Sequence, residues 1–157
     1  MTTITIGKSL VPAEHIALVE HFDLAANPRL QTERPFQSRV VLVSRDSILT
    51  EEPWQAFAEA HGFRILPEDS VATNPAVQFR VQTFAPTRDF KPNKPYASRL
   101  LWRDLDGNDQ SKLLVTNPAS VVAIAVKGEP DPAAARDNAV KRTTRRKRAA
   151  APVPERV

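Results

Sequence analysis

The sequence predicts an α/β or α+β fold, with a mixed sheet of about six or seven strands, two helices and a disordered basic C-terminal tail. Of the 157 residues, 41% are hydrophobic, which is enough for one buried core. Strand-like and helix-like hydrophobic periodicities follow one another along residues 1–128. The excess of positive charge lies beyond Gly128. We therefore divide the chain into a globular domain, residues 1–128, and a tail, residues 129–157.

The predicted strands are short apolar runs or segments in which apolar and polar residues alternate. They cover residues 2–6, 39–44, 63–66, 76–84, 98–103, 112–116 and 119–126. The run Val40–Val43 is uninterrupted, which is typical of a strand covered on both faces. Asp106-Gly107 lies between two of the strands and predicts a β-hairpin turn there.

The first predicted helix covers residues 12–25. It is indicated by a three-residue spacing of apolar side chains, namely Ile16, Val19 and Phe22. Such a spacing places these side chains on one face of a helix. Asn27-Pro28 follows and would end the helix.

The second predicted helix covers residues 51–61. Thr50 can cap its start and Gly62 can end it. Its apolar face would consist of Trp54, Phe57 and Ala58. Because strands are predicted on either side of this helix, the segment 39–66 suggests a βαβ unit.

Several classes of chemistry lack the residues that they need. The chain has no cysteine, which excludes disulfides, thiolate metal sites and a cysteine nucleophile. Its four glycines are far apart, so no glycine-rich loop can cradle a phosphate. The three histidines do not have the spacing of a metal pair. We expect no cofactor, no metal site and no enzymatic activity.

The sequence also lacks the features of membrane and export segments. Its first residues do not combine a basic segment with an apolar run, as a signal peptide would. The longest uncharged apolar stretch, residues 113–126, is shorter than the ~20 residues needed to span a bilayer. It is predicted to be a pair of buried strands. We expect no membrane contact and a cytoplasmic location, or a nuclear one in a eukaryote.

The tail carries the whole charge excess of the chain. Residues 1–128 contain 14 basic and 14 acidic residues, whereas the tail contains 8 and 4. Six of the tail cations fall within residues 141–148, with no acid among them. Phosphates attract such a segment by counterion release, without sequence preference. A solvated arm that only improves solubility, or a sorting signal, is the alternative interpretation.

Residues 79–103 combine cations with aromatic rings. Asp89 is the single acid among six cations, and five of the ten aromatic residues of the chain lie in this segment. Single-stranded nucleic acids are bound by such a mixture, because cations follow the backbone while rings stack on bases. We expect Phe79 and Trp102 to point into the core instead. The rings of the proline-containing loop 85–97 and beside it are better placed for binding.

These patterns favour a non-enzymatic protein that binds nucleic acid through its basic arm and its basic and aromatic loop–strand surface. The predicted binding residues are Arg80, Phe84, Arg88, Phe90, Lys91, Lys94, Tyr96, Arg99, Lys141, Arg142, Arg145, Arg146, Lys147 and Arg148. The alternative is a structural or interaction subunit of a larger assembly, such as a virus or phage particle. Its partner would be another protein or a second copy of this chain, and its arm would touch polyanion.

Overall fold

The protein has an α+β fold in the computed structural model, which describes residues 2–30, 32–86 and 94–132. The described residues form ten strands in three sheets, together with two helices. The strands are β1 Thr3–Ile6, β2 Ser9–Pro12, β3 Ile16–His21, β4 Ser38–Leu42, β5 Ser47–Thr50, β6 Arg64–Leu66, β7 Val71–Thr73, β8 Arg80–Thr83, β9 Ser98–Arg103 and β10 Asp109–Leu114. The helices are α1 Trp54–His61 and α2 Pro118–Val121, and a π-helical turn, Val122–Val126, continues α2.

The elements form three layers around a central antiparallel sheet of order β5-β4-β3-β7-β6. The β1–β2 hairpin and α1 pack on one face of this sheet. The three-stranded antiparallel sheet β10-β9-β8 and α2 pack on the other face. Each interface between layers holds its own cluster of buried apolar side chains.

Strand β3 lies where a helix over residues 12–25 was predicted, and that prediction is wrong. Ile16–Val19 are all fully buried. Ile16 and Val19 belong to one core cluster, whereas Ala17 and Leu18 belong to the other. A continuous apolar run of this kind suits a central strand covered on both faces. Its three-residue spacing is therefore a by-product of the uninterrupted run, and residues 13–15 form only a 3₁₀ turn.

Helix α1 confirms part of the second prediction. Trp54, Phe57 and Ala58 are buried, and Gly62 ends the helix in the left-handed conformation (φ 71°). The helix begins after Pro53, however, and Thr50 belongs to β5. The Thr50 hydroxyl accepts a hydrogen bond from the Glu52 backbone N–H in the turn that precedes the helix.

The predicted βαβ unit is wrong because β4 is followed by a tight hairpin. Arg45 adopts a positive φ of 78° in the turn, and β5 pairs antiparallel with β4. The chain then crosses the sheet through α1 to β6, which β3 and β7 separate from β4. Every neighbouring pair in this sheet is antiparallel.

Residues 118–126 are helical, so the predicted strand 119–126 is also wrong. The Asn117 side-chain oxygen accepts a hydrogen bond from the Ser120 backbone N–H at 2.9 Å, and Pro118 occupies the first helical turn. Both features favour a helix start. Ala123 and Ala125 are still buried, as small residues at a close contact between elements. The chain beyond this helix stays attached, because the Ser120 hydroxyl donates to Asp131.

The β9–β10 hairpin is confirmed, with Gly107 at its turn (φ 84°). Phe79 and Trp102 are buried as predicted, and their rings meet edge to face at 5.9 Å. The predicted strand 76–84 is shorter, because residues 74–77 form a turn and β8 begins at Arg80.

Trp102 connects the central sheet with the three-stranded sheet. It is 1% exposed, and its indole N–H donates to the Val43 carbonyl oxygen at 3.0 Å. Val43 lies just after β4, so this bond joins the two sheets through the core. A buried carbonyl that loses its donor is costly, because water cannot replace the bond.

Trp102→Phe is expected to lower the free energy of unfolding by ~1–3 kcal/mol, since the Val43 carbonyl loses its partner. Trp102→Ala should lower it by ~3–5 kcal/mol, because a cavity is left as well. Urea unfolding followed by circular dichroism measures both. Leu105→Ala, at a position 71% exposed, is the control. A Trp102→Phe protein as stable as the wild type would contradict the bridging role.

Asp104 organises the hairpin turn through its carboxylate. Oδ1 accepts the backbone N–H groups of Asn108 and Asp106, each at 2.9 Å, and Oδ2 accepts the Gln110 amide. These donors, the Asn108 backbone N–H foremost, lower the pKa of Asp104 below its ordinary value of 3.8. Hydrogen bonds to the charged form of a carboxyl always act in this direction.

This carboxylate is expected to make hairpin stability depend on pH in the acid range. A folded-state pKa below the unfolded one gives stability that is complete above the unfolded value and is lost as pH falls through the folded value. NMR titration of the Asp104 carboxyl should give a pKa below 3.8, and Asp104→Asn should remove this part of the acid sensitivity. A pKa at or above the ordinary value would contradict the turn geometry.

Candidate nucleic-acid interface

Five of the predicted binding residues lie in the described part of the chain, and three of them form a cluster. The three are Phe84, Tyr96 and Arg99. Lys94 lies beside Tyr96, and Arg80 lies at the other end of β8. The remaining predicted residues fall outside the described residues, within segments 87–93 and 133–157; they are Arg88, Phe90, Lys91, Lys141, Arg142, Arg145, Arg146, Lys147 and Arg148.

The Phe84–Tyr96–Arg99 cluster consists of two rings and one guanidinium. The Arg99 guanidinium carbon lies 5.8 Å from the centre of the Phe84 ring, and the Phe84 and Tyr96 rings meet edge to face at 6.4 Å. All three side chains are half-buried. The Phe84 backbone N–H donates to the Ala97 carbonyl oxygen at 2.9 Å, which fixes the rings where β8 ends and β9 begins. A cation over a ring is an attractive contact that also leaves guanidinium edges free to donate.

Arg80 lies apart from this cluster. Arg80 pairs with Leu101 in the β8–β9 ladder, and the next pair on the same outward face is Gln82 with Arg99. Its guanidinium contacts Asp109 at 3.2 Å, and Arg103 contacts the same carboxylate at 3.4 Å. Because Asp109 offsets part of this charge, the predicted Arg80 strand face is less positive than its arginines alone would indicate.

A cleft of about 450 Å³ opens beside the cluster, between β10 and the β4–β5 hairpin. We call it the cationic cleft. Four cations line it, namely Arg39, Arg45, Arg99 and Lys112. Glu20 is the one acid among the described residues that line it. Only Arg99 was among the predicted binding residues, because the other three cations lie in β4, in its turn and in β10, far apart in the sequence.

Glu20 holds two of the cleft cations in position. Its side chain is 17% exposed, and its carboxylate lies 2.7 Å from Lys112 Nζ and 3.6 Å from Arg39 Nη1. The Arg39 guanidinium also lies over the Phe22 ring, at 5.3 Å. Arg45 donates to the Ser111 carbonyl oxygen at the free edge of β10. Four cations set against one carboxylate leave the lining positive, and a cleft concentrates the resulting field.

The positive surface ends on the far side of Tyr96. A neighbouring cleft of about 400 Å³ is lined by Glu20, Glu68 and Asp69 against Lys94 and Lys112. The Asp69 carboxylate is already engaged, since it accepts the backbone N–H groups of Val115 and Thr116 at 2.7 and 3.2 Å. A polyanion lying on Tyr96 would therefore extend toward Arg39 and Arg45, away from Glu68.

Within residues 2–30, 32–86 and 94–132, no three histidine or acidic side chains are grouped so that they could hold a metal ion. No helix in this part of the chain has the length and apolar character needed to cross a bilayer. Comparisons with protein-family models, with curated proteins and with solved structures found no match to this chain.

Proposed function

We propose that the protein is a non-enzymatic nucleic-acid-binding protein whose folded domain holds single strands. The observation that carries this proposal is the Phe84–Tyr96–Arg99 cluster, of which Tyr96 and Arg99 line the cationic cleft. Rings that can stack on bases and cations that can follow phosphates are the two components of sequence-tolerant single-strand binding. Here the rings are those of Phe84 and Tyr96, and the cations beside them come from β4, the turn after it, β9 and β10.

The domain and the tail would contribute differently. Stacking on Tyr96 favours unpaired bases, because the bases of a duplex already stack on one another. The six cations of residues 141–148 would add affinity through counterion release, which does not distinguish sequences. The tail would thus increase binding to any nucleic acid, and the cluster would supply the preference for single strands. We also propose a cytoplasmic location, or a nuclear one in a eukaryote.

Binding of labelled single-stranded and duplex oligonucleotides, measured by fluorescence anisotropy across salt concentrations, tests the division of roles. The full chain should prefer the single strand. A variant with the six cations of residues 141–148 changed to glutamine should bind more weakly, and its salt slope should fall by up to about 4, since each lost phosphate contact changes it by ~0.7. It should keep the single-strand preference. Loss of all binding in this variant would favour the alternative of an interaction subunit.

Tyr96→Ala and Arg99→Gln test the folded site directly. Tyr96→Ala should weaken single-strand binding by ~1–3 kcal/mol, because one stacked base is lost, and duplex binding should change little. Arg99→Gln should weaken both. Arg34→Gln is the matched control, as it removes an exposed arginine paired with Glu51. A Tyr96→Ala protein that binds the single strand as tightly as the wild type and the Arg34→Gln control would contradict the proposed site.

A further inference from the structure

Arg39 lies between the cationic cleft and a second cleft of different character. The second cleft has a volume of about 560 Å³, and we call it the apolar cleft. Arg39 and Ser47 line both clefts, so the two adjoin at these side chains. The apolar cleft is lined mainly by Phe22, Ala26, Pro28, Leu30 and Leu49. Leu30 is 39% exposed, so this apolar surface is open to a ligand.

One donor of Arg39 is left without a partner at this junction. Arg39 Nε is buried and has no hydrogen-bond partner among the described residues. The Glu20 carboxylate contacts the other side of the guanidinium, at 3.6 Å from Nη1. A buried N–H without an acceptor is unfavourable, so an acceptor that reached Arg39 would gain the full bond. Guanidinium groups match the planar geometry of phosphate and carboxylate oxygens.

The apolar cleft suits a planar heterocycle better than an acyl chain. Its lining includes the polar side chains of Asn27, Arg29 and Ser47 among the apolar ones. An alkyl chain offers these polar groups no further hydrogen-bond partner, whereas the edge of a nucleobase offers them donors and acceptors. Each of the two clefts is within the usual size range of small-molecule sites, roughly 300–1,000 Å³.

We propose that the cationic cleft and the apolar cleft together bind a nucleoside phosphate, with its phosphate at Arg39 and Lys112 and its base in the apolar cleft. This inference deepens the proposed function and in part rests on it, because the nucleotide could be the end of a bound strand or a free molecule. In the strand, Arg45 and Arg99 would meet the following phosphates on the way to Tyr96. The site would then hold a strand terminus while the cluster stacks on internal bases.

Isothermal titration of the full chain with AMP, adenosine and inorganic phosphate tests the site itself. AMP should bind at least about tenfold more tightly than either fragment, because only AMP engages both clefts. Arg39→Met should reduce AMP affinity by about tenfold or more, whereas Arg34→Gln should leave it unchanged. Thermal unfolding checks that Arg39→Met is folded. Should it not fold, Lys112→Gln, which removes the other cation assigned to the phosphate, is expected to weaken AMP binding severalfold.

Absence of AMP binding at millimolar concentration, or an affinity of the folded Arg39→Met or Lys112→Gln protein equal to that of the wild type, would overturn the proposal. Oligonucleotides with a 5′-phosphate, a 3′-phosphate or neither then identify the source of the nucleotide. A terminal phosphate that strengthens binding only while Arg39 is present assigns the site to strand ends. Tight AMP binding without any effect of terminal phosphates assigns it to a free nucleotide. Strand binding that depends on Tyr96 but not on Arg39, without AMP binding, would overturn this proposal alone.

Discussion

The burial of β3 on both faces is the constraint on which the rest of the structure depends. Ile16–Val19 are fully buried, so the central sheet needs a layer on each side, and a chain of this size has few elements with which to build them. Polar residues enter β3 only at its end. Glu20 lies where the three-stranded sheet stops covering the central one, and its half-buried carboxylate requires cations nearby. Lys112 and Arg39 provide them. The cationic cleft thus arises at the place where the core ends.

Polar contacts also join the two sheets along β10 and the residues just after it. Asp69 accepts hydrogen bonds from backbone and side-chain groups just after β10, and Arg45 donates to the β10 backbone at Ser111. These contacts occupy backbone groups that a free strand edge would otherwise expose. They also fix the walls of the cleft before any ligand arrives, so cations that would repel one another in a flexible loop are held in place by the sheet. Preorganised charge of this kind lowers the cost of binding an anion.

Local signals in the sequence predicted the elements that depend on local interactions. The β9–β10 hairpin follows from Asp106-Gly107, and the end of α1 follows from Gly62. One error arose from nonlocal packing, since the apolar run after residue 15 is a strand only because two other layers cover it. The wrong strand over residues 119–126 had a local signal against it, because Asn117 and Pro118 favour a helix start. The site divides in the same way. Phe84, Tyr96 and Arg99 are close in sequence and were predicted together. Arg39 and Lys112 come together only through the packing of two sheets, which no local pattern encodes.

We propose that the folded domain, and not the tail alone, contacts single-stranded nucleic acid. Photo-cross-linking of the full chain to a single strand containing 5-bromodeoxyuridine, followed by mass spectrometry of the peptides, measures this directly. Adducts are expected on Tyr96, which lines the cationic cleft, or on Phe84, whose ring contacts that of Tyr96. Efficient cross-linking confined to residues 129–157 would contradict it, because the folded domain would then have no part in binding.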